Sequence, residues 1–339
     1  MNINRALQQN KMVTEAKQAR FQPKTILQIL LFLAVFFTTE IMASFFVSFF
    51  TTGGVFIKAM TTGVIKDGFD AVITYTVENA QQMLSTSWAT LISLLSTLIR
   101  IIACVIFCVK IEKRSAMSMG FHKKEMLKKY GIGYFVGILM LAATAGLNAL
   151  FQGMQFSVNT GWMQKLPYIL LFLCGYMIQG LSEEVLVRGY LQMTLTTHRS
   201  VWFSVLFSAL IFAAMHLANP GMGVLPFVNL FLFGVFMSLT HLKTDSIWTV
   251  GAIHAAWNFA QGHLFGISVS GTGTRVESVL ASSVSEGKEL INGGTFGVEG
   301  GICTSIALII GIAIVLYLLY RDGKQLSMES VSENPSENA

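Results

Sequence analysis

The chain of 339 residues is strongly apolar and weakly charged. Residues of the AVILMFWYC set make up 53% of it, charged residues make up 12%, and the formal net charge is +5. Soluble domains carry about 25% charged residues, and several apolar runs here exceed the ~20 residues needed to cross a bilayer. This composition excludes an ordinary soluble domain and predicts an all-α, polytopic membrane helix bundle. Because the basic residues cluster in short segments between apolar runs, they indicate membrane topology and no nucleic-acid partner.

The apolar runs predict about eight transmembrane helices within one membrane-embedded bundle, residues 25–320. Seven of these helices are expected at about 25–50, 86–109, 131–151, 201–218, 222–242, 246–263 and 299–320, and the fourth in chain order begins near residue 166. Residues 1–24 form a basic arm, either a surface helix or a loose segment. Residues 51–84 suit an external loop with an interfacial helix. Residues 321–339 are polar and acidic, so we expect a disordered tail.

The loop at 110–130 carries seven basic residues, and this excess of positive charge predicts that it is cytoplasmic. Eight crossings then put both termini in the cytoplasm, and we expect a multi-pass protein of a plasma membrane, in a bacterium. The four cysteines all lie in predicted spans and form no CxxC pair, so we interpret them as reduced core residues.

Three ionisable residues interrupt the fourth apolar run: Glu183, Glu184 and Arg188. Each costs at least about 2.5–3.5 kcal/mol at membrane depth, so such residues are retained with a partner or a function. Glu184 and Arg188 are four residues apart, share a helix face and can form an ion pair. Glu183 points about 100° away and lacks that partner.

Two later runs carry further polar pairs at helical spacing. The segment FAAMH puts Phe212 and His216 four residues apart, and HAAWN does the same for His254 and Asn258. Glu183 and His216 each lie about 16 residues from the turn near 198–200, so a continuous antiparallel hairpin would bring them to the same depth. This alignment requires that Gly189 does not break the helix.

Buried Glu and His residues together can perform hydrolysis. Burial penalises a lone carboxylate charge, whereas a neighbouring imidazole can keep it ionised or share a proton. Such a pair can bind and deprotonate a water molecule, and a second His with an Asn can stabilise an oxyanion. A metal-activated water is also open, with Glu183, His216 and His254 as candidate ligands of a divalent metal such as zinc.

The segments EEVLVR (183–188), FAAMH (212–216) and HAAWN (254–258) resemble the EExxxR, FxxxH and HxxxN motifs of the CPBP family. That family comprises intramembrane endopeptidases related to the CAAX prenyl protease, bacteriocin-processing enzymes and Abi immunity proteins. The resemblance covers roughly residues 166–263. Members have been described both as metalloproteases and as metal-independent glutamate proteases, so it leaves the metal open.

The resemblance also implies residue roles, which we adopt as expectations. The catalytic residues would be Glu183, His216, His254 and Asn258, with Glu184, Arg188 and Phe212 in support. Glu183 and His216 would activate the water, and Glu184 with Arg188 would orient Glu183. His254 and Asn258 would stabilise the oxyanion or assist in binding water, and Phe212 would shape the pocket.

The sequence therefore predicts an intramembrane endopeptidase that cleaves a membrane-associated peptide or protein. By analogy, a bacteriocin-type precursor or another small membrane peptide fits better than a prenylated protein. A non-catalytic scaffold or immunity protein is the alternative, and a transporter is less favoured because no internal repeat is visible. Arg100, inside the second run, is expected to bind a helix carbonyl or a loop carboxylate such as Glu299.

Overall fold

The structure, a computed structural model, describes residues 2–84, 86–272 and 277–333. Within these ranges the chain is helical apart from connecting segments and one small sheet, so the predicted all-α membrane bundle is confirmed. The α-helices are α1 (Asn2–Gln8), α2 (Lys11–Ala16), α3 (Thr25–Thr61), α4 (Phe69–Leu84), α5 (Ser87–Ser96), α6 (Leu98–Ile106), α7 (Met126–Leu150), α8 (Leu166–Glu184), α9 (Met193–Leu195), α10 (Val201–Ala214), α11 (Val224–Thr244), α12 (Ile247–Phe259), α13 (Glu289–Asn292) and α14 (Ile302–Glu333).

Shorter helical turns extend or connect these helices. Three are π-helical, at Phe107–Ile111, Val185–Gln192 and Ala260–Leu264. Five are 3₁₀-helical, at Val64–Asp67, Ala116–Met119, Trp162–Lys165, Gly294–Phe296 and Val298–Gly300.

Six helical segments of the described ranges are long and apolar enough to cross a membrane. They are Thr25–Thr61, Ser87–Ile111, Met126–Leu150, Trp162–Leu195, Val224–Thr244 and Ile302–Leu326. The predicted fifth and seventh spans are also helical, as α10 and α12. With 14 residues, α10 is only about 21 Å long, shorter than the hydrocarbon core, because it ends at Ala214 and not at residue 218.

The helix that carries the first motif is continuous across Gly189. It runs through α8, the π-helical segment Val185–Gln192 and α9, and α10 begins after it with Ser200 as its N-cap. Gly189 faces Met119, and a Cβ there would lie 3.3 Å from that side chain. The hairpin that the sequence predicts between the fourth and fifth spans is therefore present.

Helix α12 is buried along its length and packs closely against α7 and α8. Glycines allow this close approach. A Cβ at Gly137 of α7 would overlap the carbonyl oxygen of Ile253, and one at Gly180 of α8 would lie 2.5 Å from the amide nitrogen of Ala255. Small residues at helix contacts are typical of membrane bundles, and here they fix the helix that carries the third motif.

Within the described residues, both terminal regions contain more helix than the sequence predicts. Helices α1 and α2 bury Leu7, Met12 and Val13 in the main core, so the alternative of a loose basic arm is wrong. Helix α14 continues to Glu333, where a disordered tail was expected from residue 321, and residues 334–339 lie outside the described ranges.

Two further differences concern the loops. Helix α3 continues to Thr61 instead of ending near residue 50, because Gly53 and Gly54 are accommodated within it. The strands β1 (Met154–Val158) and β2 (Leu280–Val284) pair antiparallel, with Met154 opposite Val284. This pairing joins the connection between α7 and α8 to the connection between α12 and α14.

Candidate active site

All three motifs contribute to one cavity of about 420 Å³ inside the bundle. Its motif residues are Glu183 from the end of α8, Phe212 from α10, His216 from the turn after α10, and His254 and Asn258 from α12. The structure thus brings together residues that are up to 75 positions apart in the chain. Glu184 and Arg188 lie directly behind this cavity, both fully buried.

His254 connects the two glutamates of the first motif. Its Nδ1 lies 2.8 Å from Oε1 of Glu184, and its Nε2 lies 3.7 Å from Oε2 of Glu183. A hydrogen bond to the carboxylate of Glu184 fixes the orientation of the imidazole ring. The sequence predicts that Glu184 orients Glu183, whereas in the structure it holds His254.

Glu184 also forms the predicted ion pair with Arg188. Nη1 of Arg188 donates to Oε1 of Glu184 at 2.9 Å, and Nη2 donates to the carbonyl oxygen of Gly234 at 3.1 Å. The guanidinium group lies 4.6 Å from the ring centroid of Phe212, as in a cation–π contact. Phe212 therefore supports Arg188 in addition to lining the cavity.

Gln179 is a site residue that the motif spacing did not reveal. It lies one helical turn before Glu183, and its Nε2 donates to Oε1 of Glu183 at 2.7 Å. Its Oε1 in turn accepts from Nδ2 of Asn258 at 3.0 Å. An α8 glutamine thus connects the α12 asparagine to the carboxylate. The sequence did contain a signal for this contact, because a polar residue four positions before a buried glutamate shares its helix face.

His216 lines the same cavity but makes a different contact from the one expected. Its Nδ1 donates to the carbonyl oxygen of Phe212 at 2.8 Å. Only the other ring nitrogen, Nε2, therefore remains for a contact with a substrate. Within the described residues, no hydrogen bond joins His216 to Glu183. The nearer imidazole to Glu183 belongs to His254, because α12 packs directly against α8 whereas α10 ends just before His216.

Zinc in a protein takes at least three His, Cys, Asp or Glu ligands. Among the residues that the structure describes, no such group of three is placed to hold a metal ion. Glu183, His216 and His254 therefore do not form a ligand set that fits a metal in this arrangement.

The predicted partner of Arg100 is wrong. Arg100 forms an ion pair with Glu40 of α3, a residue that the sequence reasoning missed, and its Nη1 donates to Ser182 at 3.3 Å. Glu299 instead accepts hydrogen bonds from Trp257 and from the Ser270 backbone and hydroxyl group.

Fold and site together define a multi-pass helical membrane protein with a buried carboxylate–imidazole centre. Residues 165–260 match the family of type II CAAX prenyl endopeptidase Rce1-like proteins, and all three motifs lie within the matched range. The predicted resemblance is confirmed: the match over this range supports a protein of the CPBP/CAAX protease type, which indicates an intramembrane endopeptidase. No curated protein matches the chain.

Proposed function

We propose that the protein hydrolyses a peptide bond of a membrane-associated peptide or protein with a water molecule held between Glu183 and His254. One observation carries this proposal. Oε2 of Glu183 is buried beside the cavity without a hydrogen-bond partner among the described residues. At 3.7 Å from Nε2 of His254, it is too distant for a direct hydrogen bond but suited to sharing a water.

The tautomer of His254 sets the chemistry of that water. With the Nδ1 proton donated to Glu184, Nε2 of a neutral ring is an acceptor. A water that donates one hydrogen to Nε2 and the other to Glu183 turns its lone pairs towards a substrate carbonyl. Glu183 then takes the proton as general base and returns it to the leaving amine.

Asn258 and His216 supply hydrogen-bond donors for the oxyanion. Asn258 uses one amide hydrogen on Gln179 and keeps a second for the substrate oxygen. Nε2 of His216, when protonated, is another donor in the lining of the same cavity. Fixed donors of this kind stabilise the negative charge that develops on the carbonyl oxygen.

A small membrane peptide, such as a bacteriocin-type precursor in a bacterial plasma membrane, is the substrate class that we propose. The reacting residues lie inside a helix bundle whose spans are apolar enough to cross a bilayer. A peptide that already lies in or on the membrane reaches such a site without leaving the lipid. The choice within this class rests on analogy.

The test compares peptides released by cells that carry the native chain, Glu183→Gln or His254→Ala, at matched membrane levels. Glu286→Gln changes an exposed carboxylate outside the cavity and serves as the control. Fragments that appear with the native and control chains and vanish with both site variants support the proposal and identify the substrate. Identical peptides from all four strains would contradict it and favour the non-catalytic scaffold.

A further inference from the structure

A second cavity, of about 480 Å³, adjoins the candidate active site. It lies between α3 and the α5–α6 segment, and Gln179 and Glu183 line both cavities. Its lining is unusually polar for a groove between membrane-spanning helices, and it is open on the α3 side, where Ser44 and Ser48 are exposed. The polar residues from α3, α5 and α6 are Glu40, Ser44, Ser48, Ser93, Ser96, Thr97 and Arg100.

These polar residues follow helical spacing and therefore line continuous faces. Glu40, Ser44 and Ser48 recur every four residues on α3, so they lie along one side of that helix. Intramembrane polar residues that line a cavity mark substrate or ion pathways. Hydroxyl groups along two facing helices can hydrogen-bond the amide groups of an extended peptide. The second cavity thus has the chemistry of a peptide-binding extension that ends at Glu183.

Arg100 is the cationic group of this cavity, and its hydrogen bonding is incomplete. Its side chain is only 9% exposed, whereas that of its partner Glu40 is 41% exposed. Nε of Arg100 is buried and has no partner among the described residues. A guanidinium group can hold a carboxylate with two parallel hydrogen bonds, so Arg100 has unused capacity. Glu40, on the more exposed side, is the partner that can move away.

We infer that Arg100 binds a carboxylate of the substrate on one side of the scissile bond, with Glu40 as the exchangeable occupant of that position. This inference rests on the proposed function and names a specificity determinant for it. The carboxylate is either the C-terminus of the peptide or an Asp or Glu side chain, since both present the same two oxygens. The ion pair with Glu40 shows that a carboxylate fits at this position.

The first cavity supports a binding mode in which the carboxylate of the substrate lies at Arg100, in the second cavity. At the wall of the first cavity lies Glu299, a buried carboxylate whose partners are neutral donors from Trp257, Gln261 and Ser270. An acidic substrate group would be repelled there. The second cavity also holds carboxylates, Glu40 and Glu183, so its attraction for such a group comes from Arg100 once Glu40 has moved away. A peptide that spans both cavities is therefore oriented with its carboxylate in the second one.

The first test probes the charge of the cavity and does not depend on catalysis. Ser44→Cys is introduced into the full chain with the exposed Cys174 changed to Ser, and is treated with thiosulfonate reagents of similar size that carry a sulfonate or a trimethylammonium group. We expect Arg100→Gln to lower the ratio of sulfonate to trimethylammonium labelling at least threefold, and Glu40→Gln to raise it. Thr272→Cys, in the first cavity, is expected to show a ratio that does not depend on Arg100.

The second test uses the peptide that the native chain releases in greatest amount, synthesised with a free C-terminus, as the C-terminal amide, and with its Asp and Glu residues changed to Asn and Gln. The purified chain should cleave one of the two altered forms at least tenfold more slowly, which identifies the source of the carboxylate. Arg100→Gln should remove this difference, Arg100→Lys should keep part of it, and Glu40→Gln should lower KM for the acidic form.

A structural ion pair predicts another result. In that case Arg100→Gln and Glu40→Gln would slow cleavage of all peptide forms alike, and the labelling preference at Ser44→Cys would not depend on Arg100. Either result overturns the inference. If the native chain releases no peptide, the proposed function fails, while the labelling experiment still decides whether Arg100 forms an anion site.

Discussion

Nδ1 of His254 lies 2.8 Å from Oε1 of Glu184, the same oxygen that accepts the 2.9 Å hydrogen bond from Arg188. One buried carboxylate oxygen therefore receives an imidazole from α12 and a guanidinium from the π-helical segment. The second glutamate of the motif has two roles as a consequence. It neutralises Arg188, and it orients the ring whose other nitrogen faces Glu183.

These two roles of Glu184 can be separated. Glu184→Ala leaves the guanidinium of Arg188 buried without its counter-charge, which is expected to cost about 3–5 kcal/mol. The double variant Glu184→Leu/Arg188→Met replaces the pair with apolar residues and should recover most of the thermal stability in detergent. It should not recover peptide release, because His254 is no longer oriented. Recovery of both properties would show that Glu184 has only a structural role.

Gln179 is expected to matter for catalysis more than for folding. Gln179→Ala removes a hydrogen bond to a charged group, worth about 1.5–3 kcal/mol, and separates Asn258 from Glu183. If that energy is lost in the transition state, the rate falls about 10- to 100-fold. Peptide release and melting temperature are measured together, with the exposed Gln81→Ala as control. An unchanged rate would contradict a function for this contact.

The motif spacing predicted the same-helix ion pair of Glu184 with Arg188, but neither the Gln179 contact nor the contacts between helices. Glu184 and Arg188 meet because i and i+4 positions share a face whatever surrounds the helix. The pairing of Glu183 with His254 depends on how α8 and α12 rotate and approach, and that is set by small residues such as Gly180. The equal depth of Glu183 and His216 along the hairpin favoured His216 as the partner of Glu183. Depth, however, gives no information about how each helix is rotated about its own axis.

The contact between Glu40 and Arg100 was missed for a related reason. Each residue lies alone in a long apolar run, 60 positions from the other, and no motif marks them. Matching intramembrane charges of opposite sign would have found this pair, since a buried charge needs a counter-charge. The choice of Glu299 failed because that carboxylate is already satisfied by neutral donors from α12 and the loop before β2.

Close packing of α7 against α12 gives a prediction about a residue that touches no substrate. A Cβ at Gly137 would overlap the carbonyl oxygen of Ile253, one position before His254, so Gly137→Ala must push α12 away. Such overpacking costs about 1–3 kcal/mol, and the melting temperature and peptide release should both fall. Gly131→Ala lies on the same helix with no neighbour within 4 Å and should behave as the native chain does.

Peptide release by the purified protein is expected to survive treatment with a chelator. The described residues contain no group of three His, Cys, Asp or Glu side chains that could hold a metal ion, and the proposed water is held by Glu183 and His254. The rate is measured before and after incubation with EDTA and dialysis. A rate that collapses and returns when zinc is added would overturn the glutamate-type mechanism and favour the metal-dependent one.

A final prediction concerns Arg114, which ties the loop before α7 to the π-helical segment. Its Nη2 lies 3.1 Å from the carbonyl oxygen of Gly189 and 3.3 Å from the hydroxyl of Thr194, and its Nε lies 2.6 Å from Glu112. Burial lowers the pKa of Arg114, but its neighbours, Glu112 among them, raise it above its usual value, so the group stays charged.

Arg114→Lys keeps the charge but loses the planar fork that serves several acceptors at once. We therefore expect a lower melting temperature, because the π-helical segment that follows Glu183 and Glu184 loses hydrogen bonds that hold it in place. Peptide release should also fall, but only slightly. The adjacent, exposed Lys113→Gln is the matched control. If Arg114→Lys melts as the native chain does, the charge alone suffices and the forked geometry of the guanidinium is not what holds the segment.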